Sequence, residues 1–158
     1  MLNKIPAKIH NKLLKQGKTI AVAESCTGGL LCAKLTKNPG ASNYFLLGVV
    51  AYSNNSKEKV LQVPAKIISK HGAVSRQVAI LMARNIRKIA KADLGFSITG
   101  TAGPGGATIN KAVGTVFICL STKNKNTCRV FYFRGSRQNI RNKSTQEALR
   151  LLCAHLSL

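Results

Sequence analysis

The sequence predicts an α/β fold, a single three-layer α/β/α domain built around a mixed, mostly parallel sheet. Apolar runs typical of strands alternate with amphipathic segments typical of helices through much of the chain. Two further strand-like runs, separated by a short polar turn, indicate an antiparallel hairpin near the end. The chain has 158 residues, a common size for one domain, and no linker, repeat or low-complexity tract divides it. We therefore expect one domain over residues 1–158.

The N-terminal half predicts a helix, a strand, a second helix and a second strand. Apolar residues recur at helical spacing over residues 4–17, and Gly17 marks the end of the first helix. The run TIAVAE, residues 19–24, predicts the first strand, and residues 27–37 predict a helix that ends at an NPG turn. The nearly continuous apolar run YFLLGVVAYS, residues 44–53, predicts a second strand that is buried on both faces.

The C-terminal half predicts two helices, three strands and a closing helix. Asn54 or Asn55 is expected to cap a short helix, and Ser75 is expected to cap a long one with an apolar stripe. A strand follows, and then a hairpin that turns at KNKN. The predicted boundaries are 93–100 for the strand, 113–121 and 128–136 for the hairpin, and 139–156 for the final helix.

The charge of the chain is strongly positive. Its 25 lysine and arginine residues face only four carboxylates, which gives a net charge of +21. Such a charge attracts polyanions, so we expect nonspecific affinity for nucleic acid at low salt. The basic residues are spread along the chain, tryptophan is absent, and the five phenylalanines and three tyrosines do not alternate with arginine as on a base-stacking surface. Sequence-specific recognition of nucleic acid is therefore not expected.

Cysteine and histidine residues form no recognisable metal-binding pattern. The chain has five cysteines and three histidines, with no C-x-x-C pair. Such cysteines are typical of reduced thiols, so we expect a cytoplasmic protein without a metal. No apolar run approaches the roughly 20 residues of a membrane-spanning helix, and the N-terminus lacks the apolar core of a signal peptide. No membrane partner is expected.

Two glycine-containing segments follow predicted strands, at the ends where ligands collect in α/β sheets. The first segment opens a helix, whose free N–H groups favour an anion, and glycines let a ligand approach the backbone closely. Its candidate site residues, in ESCTGG, are Glu24, Ser25, Cys26, Thr27, Gly28 and Gly29. Those of the second segment, TGTAGPGGA, are Thr99, Gly100, Gly103, Gly105 and Gly106.

Both segments also have ordinary structural interpretations. ESCTGG is consistent with a tight turn in which a hydroxyl caps the helix and Cys26 packs inside, and the second segment with a flexible surface loop. The motifs of a phosphate-binding loop, a dinucleotide fingerprint and a G-x-S-x-G nucleophile are absent. A Ser-His-Asp triad is not expected, because none of His10, His71 and His155 lies at a predicted strand end.

Several motifs occur together in the order and spacing of one known family. The stretches AVAESCTGGLLCAKLTKNPGASNYFLLGVVAYSNNSKEKVLQV, HGAVS, SITGTAGPGG and KAVGTV closely resemble the CinA C-terminal domain family over nearly the whole chain. That family includes nicotinamide-nucleotide amidases. The resemblance implies hydrolysis of the carboxamide of nicotinamide mononucleotide, without a cofactor, to nicotinate mononucleotide and ammonia. It also implies a stand-alone form of the domain and a homo-oligomer, most often a dimer.

The resemblance also implies roles for individual residues. The family's nucleophilic serine corresponds to Ser25, its lysine to Lys57, and the tyrosine of the same segment to Tyr52. A serine hydroxyl needs a base, and lysine can serve where burial and surrounding positive charge lower the pKa of its ammonium. Tyr52 is expected to position that lysine or to relay the proton.

Backbone and arginine groups are expected to hold the substrate in this interpretation. The N–H groups around Thr27 to Gly29 would stabilise the tetrahedral oxyanion. The phosphate of the substrate is expected either on the amides of residues 103–106 or near Arg137 and Arg141.

Two alternatives remain open at this point. The same loops suit a nonenzymatic module that binds a nucleotide or nucleic acid, and release of ammonia from nicotinamide mononucleotide separates this module from an amidase. Cys26 lies at the predicted N-terminus of a helix, where the pKa of a thiol falls, and this position suits a cysteine hydrolase.

Overall fold

The computed structural model describes residues 4–157. Within that range six helices and five strands follow one another in a largely alternating order, and a short 3-10 helix, Ala41–Asn43, precedes the second strand. The helices are α1 (Ile5–Gln16), α2 (Leu30–Leu35), α3 (Asn54–Lys59), α4 (Ala65–His71), α5 (Arg76–Ile89) and α6 (Arg137–His155). The strands are β1 (Ile20–Glu24), β2 (Phe45–Val50), β3 (Leu94–Gly100), β4 (Thr115–Ser121) and β5 (Asn126–Tyr132).

The five strands form one mixed sheet in the order β2-β1-β3-β4-β5. Strand β1 pairs in parallel with β2 and β3, whereas β4 is antiparallel to both β3 and β5. Four of the five strands therefore run in the same direction, because β5 follows the direction of β3. This arrangement confirms the predicted mixed, mostly parallel sheet and the predicted hairpin.

Helices cover both faces of the sheet, as the alternation of side chains along β1 shows. Ile20 and Val22 belong to a core that also contains side chains of α1, α2 and α6. Ala21 and Ala23 point the other way, into a core formed with α4 and α5. All four side chains are fully buried. Strand β1 thus lies between two layers of helices, and the three-layer α/β/α architecture is confirmed.

The carboxyl ends of β1, β2 and β3 meet at one end of the sheet because these strands are parallel. There the N–H of Ser25 donates to the carbonyl of Ile98 over 2.9 Å, and the N–H of Ala51 donates to the carbonyl of Glu24 over 2.8 Å. Both hydrogen bonds extend a strand ladder by one residue. The chain is therefore still held by the sheet where the candidate site begins.

The prediction that the second strand is buried on both faces is wrong. Strand β2 lies at an edge of the sheet, and its side chains alternate between half-buried and exposed. Leu46 and Val50 are 45% and 47% exposed. They lie on the face that α2 covers, and α2 has only 6 residues, too few to shield the length of the strand.

The cap of α3 also differs from the prediction. Ser53, and not Asn54 or Asn55, precedes the helix, and its hydroxyl accepts a hydrogen bond from the N–H of Ser56 over 3.0 Å. The hydroxyl of Ser56 in turn accepts from the N–H of Ser53, which completes a capping box. Serine caps helices as well as asparagine does, so residue type alone does not distinguish Ser53 from the two asparagines that follow it.

Two further helices differ from the prediction: α2 begins later than expected, and α4 was not expected at all. Helix α2 begins at Leu30 and not at residue 27, because Gly28 and Gly29 have φ angles of 60° and 96°, outside the right-handed helical region. No helix is predicted over Ala65–His71, yet α4 forms there. With 7 residues it is too short for its apolar periodicity to be recognised.

The second strand ends at Val50 and not at residue 53, and β5 spans Asn126–Tyr132 and not residues 128–136. Three other boundary signals agree with the prediction. Gly17, with a φ of 59°, ends α1, and the hydroxyl of Ser75 caps α5 by accepting from the N–H of Val78. The N–H of Thr122 donates to the carbonyl of Lys125 and closes the hairpin between β4 and β5. Across residues 4–157, no helix combines the length and the apolar character needed to cross a bilayer.

Candidate active site

The candidate nucleophile Ser25 is the first residue after β1. Its N–H donates to a carbonyl of β3. Its own carbonyl accepts the N–H of Gly28 over 3.0 Å, which forms a tight turn immediately after the strand. This turn requires positive φ at Gly28 and Gly29, a conformation that side chains disfavour. The Ser25 side chain is 7% exposed and lies at the edge of a cavity.

Lys57 approaches Ser25 from the neighbouring helix. Helix α3 follows the end of β2 directly and directs the lysine back across the strand ends. The Nζ atom lies 3.2 Å from the Oγ of Ser25 and 2.9 Å from the carbonyl oxygen of Ala51. These contacts bring a hydroxyl and an amine, 32 residues apart in the chain, within hydrogen-bond distance.

The environment of Lys57 favours its neutral form. The side chain is only 2% exposed, and burial lowers the pKa of its ammonium below the ordinary value of lysine. We expected surrounding cations to help lower the pKa of Lys57, but they are not among its causes. Burial lowers this pKa, and the neighbouring Cys26 raises it. A neutral amine has a lone pair that can accept the proton of the Ser25 hydroxyl while an N–H continues to donate to Ala51.

Glu24, predicted to bind substrate, instead holds the start of α2. Its carboxylate is fully buried and accepts the backbone N–H groups of Gly29, Leu31 and Cys32 at 3.1, 3.2 and 2.7 Å. A carboxylate at a helix N-terminus also interacts favourably with the helix dipole. Glu24 therefore fixes the turn that carries Ser25 without lining the cavity.

Replacing Glu24 with alanine is expected to destabilise the fold strongly. The change leaves three backbone N–H groups without an acceptor and opens a cavity, so we expect a loss of roughly 3 kcal/mol or more in the free energy of unfolding. Urea unfolding measures this quantity. The matched control is Glu147→Ala, which removes only a surface ion pair with Arg150 and is expected to cost about 0.5 kcal/mol or less. Equal stabilities for the two variants would contradict the assigned role.

Cys26 does not have the properties expected of a nucleophile. Its side chain is 4% exposed. Burial, reinforced by the nearby carboxylate of Glu24, raises the pKa of the thiol to about 12. We expected a helix N-terminus to lower this pKa, but the carboxylate already occupies the N–H groups of α2 that would do so. The cysteine hydrolase alternative therefore loses its physical basis.

The backbone donors near Ser25 differ from those predicted for the oxyanion. The N–H of Gly28 is bound to the Ser25 carbonyl, and that of Gly29 to Glu24. The N–H groups of Cys26 and Thr27 have no acceptor within the described part of the chain. Of these two residues only Cys26 lines the cavity, so its N–H is the better placed donor.

Arg141, a predicted phosphate contact, supports the same turn from behind. Its guanidinium donates to the carbonyl of Cys26 over 3.2 Å and to that of Thr27 over 2.9 Å. A Cβ atom on Gly28 would lie 3.1 Å from its Nη2, so the arginine also occupies the space beside that glycine. Arg141 does not line the cavity. The structure thus gives it a positioning contact.

Arg137 and Tyr52 lie together at the mouth of the cavity. Arg137 donates one hydrogen bond to the carbonyl of Gly103 over 2.7 Å and another to the hydroxyl of Tyr52. The hydroxyl of Tyr52 therefore contacts an arginine and not Lys57, and the tyrosine side chain is 55% exposed. Its expected role in positioning the lysine has no hydrogen bond to support it.

The cavity beside Ser25 has a volume of about 250 Å³. Gly100 is required in its wall for close packing of β3 on β4, since a Cβ there would lie 2.6 Å from Val116. The hydroxyl of Thr99 fixes the neighbouring loop by donating to the carbonyl of Ala73 over 2.9 Å. The lining comprises Ser25, Cys26, Tyr52, Asn54, Lys57, Ala73, Val74, Thr99, Gly100, Thr101, Ala102, Gly103, Gly105, Gly106 and Arg137.

Comparisons with known proteins identify the family of the chain. The sequence model of the CinA C-terminal domain family matches residues 2–156. The chain belongs to the CinA C-terminal domain family. It is similar to a CinA-like protein of Desulfotalea psychrophila, with 51% identity over 148 residues that make up 94% of this chain and 36% of that protein. The chain spans little more than a third of the length of the curated relatives that it matches.

Solved structures of CinA superfamily proteins have the same fold. A competence-damaged protein (CinA) superfamily protein from Klebsiella pneumoniae has a TM-score of 0.94 and 29% identity, covering 99% of this chain and 98% of that one. A competence or damage-inducible protein from Enterobacter asburiae has a TM-score of 0.94 and 32% identity, with the same coverage of both chains. These names state no reaction, so they support the family and the fold.

Ten of the fifteen predicted site residues line the cavity of this CinA C-terminal domain. The other five lie outside it: Glu24, Thr27, Gly28, Gly29 and Arg141. Sequence reasoning missed the carbonyl of Ala51, which binds Lys57. It also missed five residues of the cavity wall: Asn54, Ala73, Val74, Thr101 and Ala102. Ala73 and Val74 belong to HGAVS, a motif that was recognised without being assigned to the site.

A larger groove of about 480 Å³ lies at the opposite end of the sheet in this CinA C-terminal domain. It opens between the β4–β5 hairpin and the end of α6, and its floor includes Phe96, Ile118 and Leu151. Its described lining contains neither serine nor cysteine. The smaller cavity is the candidate active site, because it holds a serine hydroxyl within hydrogen-bond distance of a buried lysine amine.

Proposed function

We propose that this protein is an amidohydrolase that deamidates nicotinamide mononucleotide to nicotinate mononucleotide and ammonia. The observation that carries the proposal is the buried Lys57 amine, which lies 3.2 Å from the Ser25 hydroxyl at the edge of an open cavity. A serine with a neutral lysine as its base is an arrangement suited to amide hydrolysis. The family resemblance supplies the particular substrate.

The first half of the proposed reaction forms an acyl-enzyme. Neutral Lys57 takes the hydroxyl proton as the Oγ of Ser25 bonds to the carboxamide carbon. The N–H of Cys26 donates to the resulting oxyanion, a contribution of about 3 kcal/mol for a well-placed donor. The C–N bond then breaks, and ammonia leaves with the proton that Lys57 returns. The product at this stage is an ester between Ser25 and the pyridine carboxyl group.

The second half releases the product by the same chemistry in reverse order. A water molecule gives a proton to Lys57 as its oxygen bonds to the ester carbon. The bond to the Oγ of Ser25 then breaks, and the serine recovers its proton from Lys57. No group outside the chain and water is needed to balance either half of the reaction.

The glycine-rich loop is the proposed subsite for the phosphate of the substrate. The N–H groups of Gly103, Gly105 and Gly106 have no acceptor within the described part of the chain, and these residues line the cavity. Arg137 holds the carbonyl of Gly103 and adds a positive charge at the same wall. Backbone donors beside an arginine are a common way to bind phosphate.

An ammonia assay tests the proposed function directly. The purified protein is incubated with nicotinamide mononucleotide, with its riboside and with free nicotinamide. We expect release of ammonia from the mononucleotide and much less from the two compounds without phosphate, because they cannot use the glycine-rich loop. No ammonia from the mononucleotide, at enzyme concentrations where the protein is folded, would reject the amidase proposal.

Deamidation is expected to survive an excess of EDTA. Within residues 4–157 no group of three or more histidine, cysteine, aspartate or glutamate side chains could hold a metal ion, and the proposed steps use none. Ammonia release is measured before and after treatment with the chelator. Loss of activity that zinc or magnesium restores would require a mechanism built around an ion.

A second candidate function, binding of a nucleotide or nucleic acid without catalysis, is favoured by the charge distribution. Only one ion pair, Arg150 with Glu147, occurs among residues 4–157. Two of the other three carboxylates bind uncharged groups: Glu24 the amides of α2, and Asp93 the N–H and hydroxyl of Thr19. Most of the 25 cations are thus free to meet a polyanion. Salt-sensitive binding of nucleic acid without ammonia release would support this candidate.

Two properties implied by the family resemblance are also proposals. We propose a cytoplasmic location, to be tested by cell fractionation, and a homodimer, to be tested by light scattering at physiological salt. A monomer over the whole concentration range would reject the dimer without affecting the proposed reaction, because Ser25 and Lys57 come from the same chain.

A further inference from the structure

Cys119 and Cys128 are direct partners on adjacent antiparallel strands, at the side of the sheet away from Ser25. The hairpin is closed by a hydrogen bond between Thr122 and Lys125, which makes these two residues a hydrogen-bonded pair. Hydrogen-bonded and non-hydrogen-bonded pairs alternate along an antiparallel ladder. Cys119 and Cys128 lie three steps further along and are therefore a non-hydrogen-bonded pair.

The other end of the ladder leads to the same assignment. The N–H of Phe133 donates to the carbonyl of Gly114, so that pair is hydrogen-bonded, and the cysteine pair lies five steps away. At a non-hydrogen-bonded pair the Cα atoms are about 4.5 Å apart and the side chains are on the same face. Disulfides span Cα separations of about 4.4–6.8 Å. The two thiols can therefore be joined without moving the strands apart.

The surroundings of the pair favour reaction at Cys128. Arg76, the first residue of α5, donates to the Cys128 carbonyl over 2.7 Å. Interaction with the Cys119 thiol, together with this guanidinium charge, lowers the pKa of Cys128, whereas the same interaction and burial raise the pKa of Cys119. Cys128 also lies on the edge strand β5 and is 6% exposed, while Cys119 is fully buried.

We propose that Cys119 and Cys128 form a reversible oxidation site, which closes a cross-strand disulfide when a peroxide reaches β5. The thiolate of Cys128 attacks one oxygen of hydrogen peroxide and breaks the O–O bond, giving a sulfenic acid and a hydroxide ion that is protonated to water. The sulfur of Cys119 then bonds to the sulfenic sulfur and displaces a second water. The two sulfurs together lose two electrons, and the peroxide gains them.

The disulfide would fasten β5 covalently to β4. Strand β5 is otherwise held by the ladder to β4 along one side and by the hydrogen bond from Arg76 to the Cys128 carbonyl. The cysteine pair also packs against Ala79 and Ala83 of α5, and Phe131 packs against the core that contains Ile118. The oxidation site is independent of the proposed amidase reaction, because it shares no residue with the cavity. Amide hydrogen exchange in β5 is expected to slow after oxidation, since fraying of the strand requires breaking the pairing next to the bond.

Peptide mapping of the native, reduced protein tests the proposal. After brief treatment with hydrogen peroxide, remaining thiols are blocked and the chain is digested with trypsin. Cleavage at Lys111, Lys123, Lys125 and Arg129 places Cys119 in the peptide of residues 112–123 and Cys128 in that of residues 126–129. We expect these two peptides to be linked, with a loss of two hydrogen atoms, and to separate again after reduction.

Cysteine variants show which cysteines form the link. The link is expected to persist in Cys153→Ser, which keeps both partners, and to disappear in Cys128→Ser. Peptides that stay unlinked in oxidised wild-type protein would overturn the proposal, and so would a link that forms only in urea, where the ladder is lost. Both outcomes are read on the wild-type chain, so they do not depend on the folding of a variant.

Discussion

Ser25→Ala is expected to reduce kcat for deamidation of nicotinamide mononucleotide by at least about 10³-fold, because it removes the atom that bonds to the substrate. The fold is expected to remain, since the side chain is small and its hydrogen bond in the structure is the one to Lys57. The turn itself is held by backbone bonds and by Glu24. Ammonia release measures the loss, and thermal unfolding checks that the variant is native.

The neighbouring cysteine provides the matched control. Cys26→Ala keeps the backbone N–H at that position and removes a thiol that burial holds in the neutral form, so most of the activity is expected to remain. The two substitutions are at adjacent positions of the same turn, and each removes one heavy atom from the side chain. Full activity in Ser25→Ala with loss in Cys26→Ala would exchange the roles of the two residues and reject the serine mechanism.

Elements whose signals are local were predicted well from the sequence. Ser75 and the apolar stripe after it mark α5, and the polar turn at residues 123–126 marks the hairpin. These features depend on neighbouring residues and on the periodicity of one element. The strand order follows in part from the same pattern, because a strand, a helix and another strand favour parallel pairing.

The errors occur where burial is decided by distant parts of the chain. The apolar run at residues 44–53 has the composition of an internal strand, but β2 is at the edge because no later strand pairs with its outer side among the described residues. Composition reports how apolar a strand is, not how many neighbours it has. Helix α4 was missed for a different reason, since seven residues give too few turns for a periodic pattern.

In the candidate site, too, some features can be predicted from the sequence and others cannot. The proximity of Ser25 and Lys57 could be expected only from the family resemblance, since nothing local relates residues so far apart. Glu24 and Arg141 were expected to contact substrate because charged residues near a glycine turn often do. Both bind backbone groups of that turn instead. Backbone partners have no signature in the sequence, so such supporting roles become visible only in three dimensions.

Lys57→Arg is expected to lower turnover to the level of Ser25→Ala. The base must be neutral before Ser25 attacks, and a guanidinium keeps its proton at any pH that the fold tolerates. For the wild type, activity should rise with pH through a single ionisation below about 10.4, the pKa of free lysine. The direction follows from burial, which lowers the pKa of Lys57. A pH–rate profile with saturating nicotinamide mononucleotide measures both effects.

An exposed lysine on the same helix is the control for charge. Lys59→Met removes one positive charge at the end of α3, from a side chain in solvent, and is expected to leave the turnover and the pH profile nearly unchanged. Near-normal turnover in Lys57→Arg with an unchanged profile would show that Lys57 is not the base. The same result would leave the 3.2 Å contact with Ser25 as a structural hydrogen bond.

Lys57→Met is expected to stabilise the protein at neutral pH while abolishing activity. Each unit by which burial lowers the lysine pKa corresponds to about 1.4 kcal/mol of disfavoured charge in the folded state. Between the lowered pKa and about 10.4, the unfolded chain carries a proton at Lys57 that the folded chain has released, so wild-type stability rises with pH across that window. Below the lowered pKa the folded protein holds the buried ammonium, and the loss of stability caused by the buried charge reaches its full value. Urea unfolding at several pH values should therefore show a stability difference between Lys57→Met and the wild type that shrinks as pH rises. A difference independent of pH would mean that Lys57 titrates normally in the folded protein, and a normally titrating lysine could not act as the base at neutral pH.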